Sequence, residues 1–357
     1  MPATIRPERM GPWQLAPGRR ILVAGAGSVG CHAGGCLARA GLPVTLLLRP
    51  SLAERLAGGL RLSDLDGADW QLPPGSARLA TDPAEAMADA GLVLVTVKGG
   101  DTGDIGQLIA AFAPADAPVI SLQNGIGNAE RLAALLPGRR VLAGMVPFNI
   151  VQMPDGRFHR GTSGTVMLAD DLPGLAAALN VPGWPVAGRT DMDAVLWGKL
   201  LLNLNNGLNA LSGLPLVQQV ADRRWRRLLA AQMAEALALL HQAGIRPAKV
   251  SGVKPALLPF VLRLPDWLFR RLAGAMLRMD PLARSSMWED LQRGRRTEID
   301  RLQGAVLALA QRLGHDPART APACARVLAL VQQAERAGAG SPRLSPHAVS
   351  GTGPPGG

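Results

Sequence analysis

Three groups of residues have types and spacings that could do chemistry. The first is Gly25-x-Gly27-x-x-Gly30, which closes an apolar run at residues 21–24 and opens an alanine-rich stretch. In a strand–turn–helix, the first glycine permits the tight turn. The second lets the backbone approach a pyrophosphate, and the third lets the helix pack closely on the strand. Unpaired N–H groups at the helix start would then receive the phosphates, which makes Gly25, Ala26, Gly27, Ser28, Val29 and Gly30 a candidate dinucleotide-binding loop. Arg49 ends the next apolar run, residues 43–49, at the place where such a fold meets the adenine ribose. An acid there would accept from the 2′-hydroxyl of NAD. A guanidinium suits a 2′-phosphate, so the cofactor expected is NADPH/NADP.

The second group lies in WGKLLLNLNNGLNALSG, residues 197–213. At about 100° per residue, Lys199, Asn203 and Asn206 fall on one stripe that Ala210 continues, with Asn205 and Asn209 on another side. Such a line can face a cleft, and a snorkelling lysine on an amphipathic helix gives the same pattern. Lysine is rare in this chain, four residues against thirty-four arginines. The third group lies in SSMWEDLQRGRRTEIDRLQG, from Ser285. Read as one helix, it sets Ser286 and Asp290 one turn apart and Glu298 about 80° round from Asp290. The three can share a broad groove, although an ordinary charged helix has the same spacing.

The elements that must position these residues follow from periodicity. Buried-strand patterns at residues 91–98 and 118–127 end in Lys98 and in Gln123-Asn124-Gly125, with helical stretches between. The alternation predicts a parallel sheet whose ligands gather at the strands' carboxyl ends, so Lys98, Asn124 and the glycine loop should surround one crevice. After Arg139, VLAGMVPFNIVQ, RFHRGTSGTVML and WPVAGRT read as further strands, antiparallel and outside the first βαβ units. His159 there has no second ligand at metal spacing and reads as a strand or surface residue; no metal is expected. From Asp191 the chain reads as helical. The fold class expected is an α/β Rossmann dinucleotide-binding domain followed by a mainly α-helical C-terminal domain. Its boundaries are a loose lead-in at 1–19, the Rossmann domain at 20–190, the helical domain at 191–336 and a disordered Gly/Pro/Ser-rich tail at 337–357.

Composition narrows the class. With 48% hydrophobic and 18% charged residues, the 357-residue chain has material for two cores. No membrane-spanning run and no secretory h-region is visible, so a cytoplasmic protein with no membrane partner is expected. Three cysteines form neither a disulfide framework nor a zinc spacing. The net charge of +11 raises nucleic acid as a partner, but the arginines are scattered and aromatics are 3%, so no nucleic-acid partner is expected.

The quoted pieces, with VTVK (95–98) and SLQNGIG (121–127), occur in the order found in the ketopantoate reductase (2-dehydropantoate 2-reductase) family. The chain resembles that family from about Arg20 to Leu330. The resemblance implies NADPH as hydride donor, a small-molecule 2-oxo acid as substrate, and a role in making pantothenate. It implies Lys199 as the catalytic lysine and Glu298 as the acid working with it. Asn124, Asn203, Ser286 and Asp290 become substrate-binding residues, and Lys98 and Asn124 lie near the cofactor. Where the family commonly has a second asparagine, eight residues after the lysine, this chain has Gly207, and Asn206 is the candidate to replace it. An apolar stretch at 251–281 is longer than the family pattern and reads as a pocket-mouth element or an interface. These departures keep open a same-fold reductase of another 2-oxo acid or an imine, and a non-catalytic NADP-binding sensor. They also leave a homodimer open.

Overall fold

Runs of leucine and valine that are buried on both faces build a parallel sheet, and alanine-rich helices cover it. The computed structural model describes residues 12–249, 254–272, 283–338 and 340–351. These divide into two compact units. One runs to Met192 without the loop Asn124–Gly127, and the other comprises that loop and the chain from Asp193.

The strands of the first unit are β1 (Arg20–Ala24), β2 (Val44–Leu47), β3 (Leu60–Asp64), β4 (Asp69–Leu72), β5 (Arg78–Ala80), β6 (Ala90–Val95), β7 (Val119–Ser121), β8 (Val141–Met145), β9 (Ile150–Gln152), β10 (Phe158–Arg160), β11 (Val166–Ala169) and β12 (Val186–Arg189). The main sheet has the order β12-β11-β8-β7-β6-β1-β2-β5. β1 pairs in parallel with both β2 and β6, so chain direction across the sheet reverses beside β1. Side chains alternate across β1: Ile21 and Val23 join one core, Leu22 and Ala24 the other.

Two expectations need correction here. The strands after Arg139 are not simply antiparallel outliers. β8 runs parallel to β7 and extends the main sheet, β11 is antiparallel to β8, and β12 is parallel to β11. Only β9 and β10 leave it, joining β3 and β4 in a second sheet of order β4-β3-β10-β9. The β3–β4 hairpin is unanticipated by the sequence reading. It turns at Gly67 (φ +91°), and Asp64 Oδ1 accepts from the N–H groups of Asp66 and Ala68 at 3.0 Å. The lead-in also differs from expectation over its described part. Trp13 N donates to the Pro173 carbonyl at 2.6 Å, and Trp13 and Leu15 pack on the sheet's core. Residues 1–11 lie outside the described residues.

The second unit is helical. A lysine helix (Met192–Asn203) and an asparagine helix (Asn205–Ser212) meet at Leu204. Gln303 Nε2 donates to the Leu204 carbonyl at 2.9 Å, and a side chain inserted into the backbone ladder is a recognised cause of such a break. Around them pack the long helix Arg223–Gln242, a serine helix (Ser286–Gln292), a glutamate helix (Ile299–Arg312) and the helix Pro322–Ala337. The segment expected to be a single helix from Ser285 is two helices. Gly294 (φ +60°) stops the first: Gly294 N donates to Leu291 O at 3.1 Å and Arg295 N to Asp290 O at 2.8 Å, the bonding of a Schellman cap.

The expected disordered tail is ordered over residues 340–351. Ser341 Oγ donates to the Ala210 carbonyl, Leu344 N donates to Leu211 O at 2.8 Å, and Val349 is buried in the helical core. Residues 352–357 and 339 lie outside the described residues. Among the described residues no helix is long and apolar enough to cross a membrane.

Gly207 is buried where the asparagine helix crosses its neighbours. A Cβ there would lie 2.8 Å from Val327 Cγ1, 3.0 Å from Gln303 Nε2 and 3.1 Å from Ile299 Cδ1. The glycine at this position therefore answers a packing demand of this chain. Gly207→Asn is expected to destabilise the fold by about 1–3 kcal/mol through overpacking, read as a lower denaturant midpoint at unchanged slope; an unchanged midpoint would contradict this packing account.

Candidate functional site

The glycine loop separates three steric demands. Gly25 has φ +81°, and a Cβ on it would collide with the Val97 side chain. Gly30 has no room either, its Cβ position lying 2.8 Å from Val23 Cγ1. Gly27 is different: it is exposed, and nothing lies within 4 Å of where its Cβ would be. It is the N-cap of the helix Ser28–Arg39, with no side-chain cap and no acid in the first turn. The first-turn N–H groups, those of Ser28 and Val29 among them, thus point into a space that no side chain of the helix fills, beside a helix dipole that favours an anion. This cradle fits a pyrophosphate. Thr96 Oγ1 donates to Gly25 O at 3.0 Å and ties the loop to the end of β6.

Arg49 is exposed two residues beyond β2, and among the described residues its guanidinium makes no ion pair. Lys98, three residues beyond β6, is exposed and stands at the N-cap position of the short 3-10 turn Gly99–Asp101. Its carbonyl accepts from the buried Gln123 Nε2 at 3.3 Å. The same nitrogen donates to Thr102 Oγ1 at 2.9 Å, and Thr102 donates to Gly99 O at 2.8 Å. A buried amide and hydroxyl thus hold the Lys98 loop against the end of β7.

In the second unit, Lys199 is half-buried on a helix whose Trp197, Leu200 and Leu201 are buried. Although the residue keeps some accessible surface, enough protein surrounds its ammonium that desolvation lowers the pKa from 10.5 to about 8. Asn203 ends the lysine helix and Asn206 starts the next turn beyond the break; both are half-buried. The serine helix is bolted to the asparagine helix: Ser285 N donates to Asn209 Oδ1 at 2.8 Å, and Ser285 Oγ donates to Asn206 O at 3.3 Å. This brings Ser286, exposed, and Asp290, buried one turn later, onto the helix that abuts Asn206.

Glu298 is not placed by a helical angle from Asp290, because the helix ends between them. It stands at the N-cap of the glutamate helix, half-buried, without capping that helix. Gly125, next to Asn124, has φ +90°, and a Cβ there would lie 2.7 Å from Arg301 Cβ; Arg301 N donates to Glu298 O at 2.9 Å. The Asn124 loop therefore lies against the first turn after Glu298. One turn beyond, Gln303 reaches Leu204, beside Asn203. Within this unit the fold brings together the elements carrying Lys199, Asn203, Asn206, Ser286, Asp290, Glu298 and Asn124. Gly25, Ala26, Gly27, Ser28, Val29, Gly30, Arg49 and Lys98 belong to the first unit.

The residues that hold these elements in place were missed by the sequence reading: Thr96, Gln123, Ser285, Asn209 and Gln303. Asn209 is fully buried and also donates to Gln219 Oε1 and Leu214 O, each at 2.9 Å. Ser285 had a visible signal, a serine directly before a helical run. A buried glutamine has no comparable local signature. Among the described residues no group of three or more His, Cys, Asp or Glu could hold a metal ion.

Comparison with known proteins places these elements in a wider group. Residues 21–171 match the family described as ketopantoate reductase PanE/ApbA, and residues 191–335 match its C-terminal counterpart. A curated relative, the 2-dehydropantoate 2-reductase of Halobacterium salinarum, is 31% identical over 331 residues, spanning 89% of this chain and 100% of the relative. The crystal structure of a PanE/ApbA family ketopantoate reductase from Ralstonia eutropha JMP134 is 31% identical with a TM-score of 0.75, covering 89% of this chain and 99% of that one. D-mandelate dehydrogenase, solved with NADH and anilino(oxo)acetate, has a TM-score of 0.71 at 20% identity over 89% of this chain and 99% of its own, a likeness of fold alone.

The two adjacent serines separate in their effect on stability. Ser285 Oγ accepts from Trp288 N at 3.2 Å as the N-cap, so Ser285→Ala is expected to cost about 1 kcal/mol. The exposed Ser286→Ala should stay within about 0.5 kcal/mol of wild type. Denaturant midpoints of the two variants check this, and equal midpoints would contradict the capping assignment.

Proposed function

Because the chain belongs to the ketopantoate reductase family of oxidoreductases, we propose that it reduces 2-dehydropantoate to pantoate with NADPH, within the making of pantothenate. The observation that carries the reading is a half-buried lysine whose pKa is lowered to about 8, on a helix otherwise suited to core packing.

In this reading the backbone at Gly27 and the N–H groups of Ser28 and Val29 receive the pyrophosphate, and Arg49 receives the 2′-phosphate. Lys98 lies near the cofactor. The bound nicotinamide supplies a hydride to the ketone carbon. Lys199 stabilises the negative charge that develops on the ketone oxygen and donates the proton that makes the hydroxyl. A pKa of about 8 suits this role, since the lysine is mostly protonated at neutral pH yet releases its proton more readily than a free lysine. Asn203, one turn on, fixes the lysine or the substrate, and Asn124 and Asn206 add amide contacts. Ser286 hydrogen-bonds the substrate carboxylate, Asp290 contributes to substrate binding, and Glu298 orients the substrate through a hydroxyl.

Mixing the protein with 2-dehydropantoate and either NADPH or NADH, and following nicotinamide absorbance, tests the reading. Oxidation of NADPH with little of NADH supports it; a preference for another 2-oxo acid in a substrate panel would move the substrate and leave the reaction class. Lys199→Ala is expected to lower kcat about 10²–10⁴-fold. In the wild type kcat/KM should fall as pH rises through about 8, as Lys199 loses its proton. Near-normal turnover in the variant would remove Lys199 from the chemistry. Arg49→Ala should raise KM for NADPH by about 10–100-fold and leave KM for NADH near wild type, because only the first carries the extra phosphate.

A further inference from the structure

Of the apolar stretch at 251–281, residues 254–272 are described. They fold as two short helices, Leu258–Arg263 and Asp266–Leu272, joined through Leu264 and Pro265. Leu258, Leu262 and Phe269 turn inward and join the helical core. Four large apolar side chains turn outward: Leu257 is 54% exposed, Phe260 74%, Trp267 69% and Leu272 63%. The exposed cations of the same segment are Lys254, Arg263, Arg270 and Arg271. Its one acid, Asp266, is already paired to Arg226 at 2.7 Å.

Arg226 holds this hairpin in place. The side chain is buried and donates to Leu262 O at 3.1 Å, to Leu264 O at 2.9 Å and to Asp266, while its guanidinium stacks 4.1 Å from the Phe269 ring centre. Arg226 stands on the long helix and also donates to Val220 O and Ala221 O at the end of the preceding helix, Leu216–Ala221. A buried arginine that bonds three residues of one surface hairpin fixes the outward face of that hairpin.

We propose that this face is a docking surface for an anionic lipid bilayer. Exposed tryptophan, phenylalanine and leucine beside lysine and arginine are the composition of an interfacial helix, which lays its apolar side chains among the acyl chains and its cations at the headgroups. The alternative occupant, a second copy of the chain, would bring the same cations against themselves across a two-fold axis. A chain of net charge +11 is also drawn as a whole to an anionic surface. The docking is peripheral, and it departs from the sequence-based expectation of no membrane partner. It does not depend on which 2-oxo acid is reduced.

The test pellets the full-length protein with vesicles of phosphatidylcholine alone or with phosphatidylglycerol added. The expected result is binding to the phosphatidylglycerol vesicles at low salt, and its loss at high salt. The double variants Phe260→Ser/Trp267→Ser and Arg270→Glu/Arg271→Glu should each weaken binding by about tenfold or more, with unfolding midpoints at the wild-type value because all four side chains are exposed. No pelleting with phosphatidylglycerol overturns the proposal, as does equal binding to both vesicle types or wild-type binding by the aromatic variant. A wild-type dimer in sedimentation velocity that Phe260→Ser/Trp267→Ser converts to monomer also overturns it and assigns the face to a second copy.

Discussion

The constraint on which the helical unit turns is a desolvated cation on a helix that packs in the core. Trp197, Leu200 and Leu201 are buried on the helix that carries Lys199, and desolvation lowers its pKa to about 8. Its charge works against folding. Below pH 8 the lysine is protonated in folded and unfolded states alike and the full desolvation penalty is present. As pH rises from about 8 toward the unfolded value of 10.5, the folded state loses its proton first and the penalty fades. A helix selected for packing alone would carry alanine or leucine at this position. In the proposed reading the lost stability is offset by a proton donor with a pKa close to working pH.

Within each unit, buried polar side chains hold the elements that carry the candidate site residues. Asn209, Gln303 and Ser285 each bond a backbone group of a neighbouring element, and Gln123 and Thr102 bond the Lys98 and Gly99 carbonyls. The backbone groups they meet lie where a helix breaks, begins or follows a strand, so a buried side chain replaces a bond the regular backbone ladder does not make. Ser286 and Lys98 are exposed on elements that these residues fix.

The central parallel strands were legible because β1, β2, β6 and β7 are continuous apolar runs, a pattern that burial on both faces requires. The glycine loop was legible for the same local reason: Gly25, Gly27 and Gly30 meet three different steric demands within six residues. The β3–β4 hairpin was not legible, since LRLSD and DWQL are short, mixed in polarity and paired partly with a strand about a hundred residues away. The single helix expected from Ser285 failed because charged residues around Gly294 hide a stop that its left-handed backbone and Schellman bonds make plain in the structure. The tail's order over residues 340–351 rests on one buried valine and a few bonds to helix carbonyls, features that composition does not register. Gly207, which looked like a lost substrate contact against the family pattern, is explained by its close neighbours Val327 and Ile299.

The chain has only four lysines, so the protonation of Lys199 can be read directly. Protein labelled with ¹³C at lysine Cε would be titrated by NMR, with Lys199→Arg assigning the signal. The account predicts that the signal lost in the variant titrates near pH 8 in the wild type. A Lys199 signal that titrates at about 10.4, as a freely solvated lysine does, would contradict it.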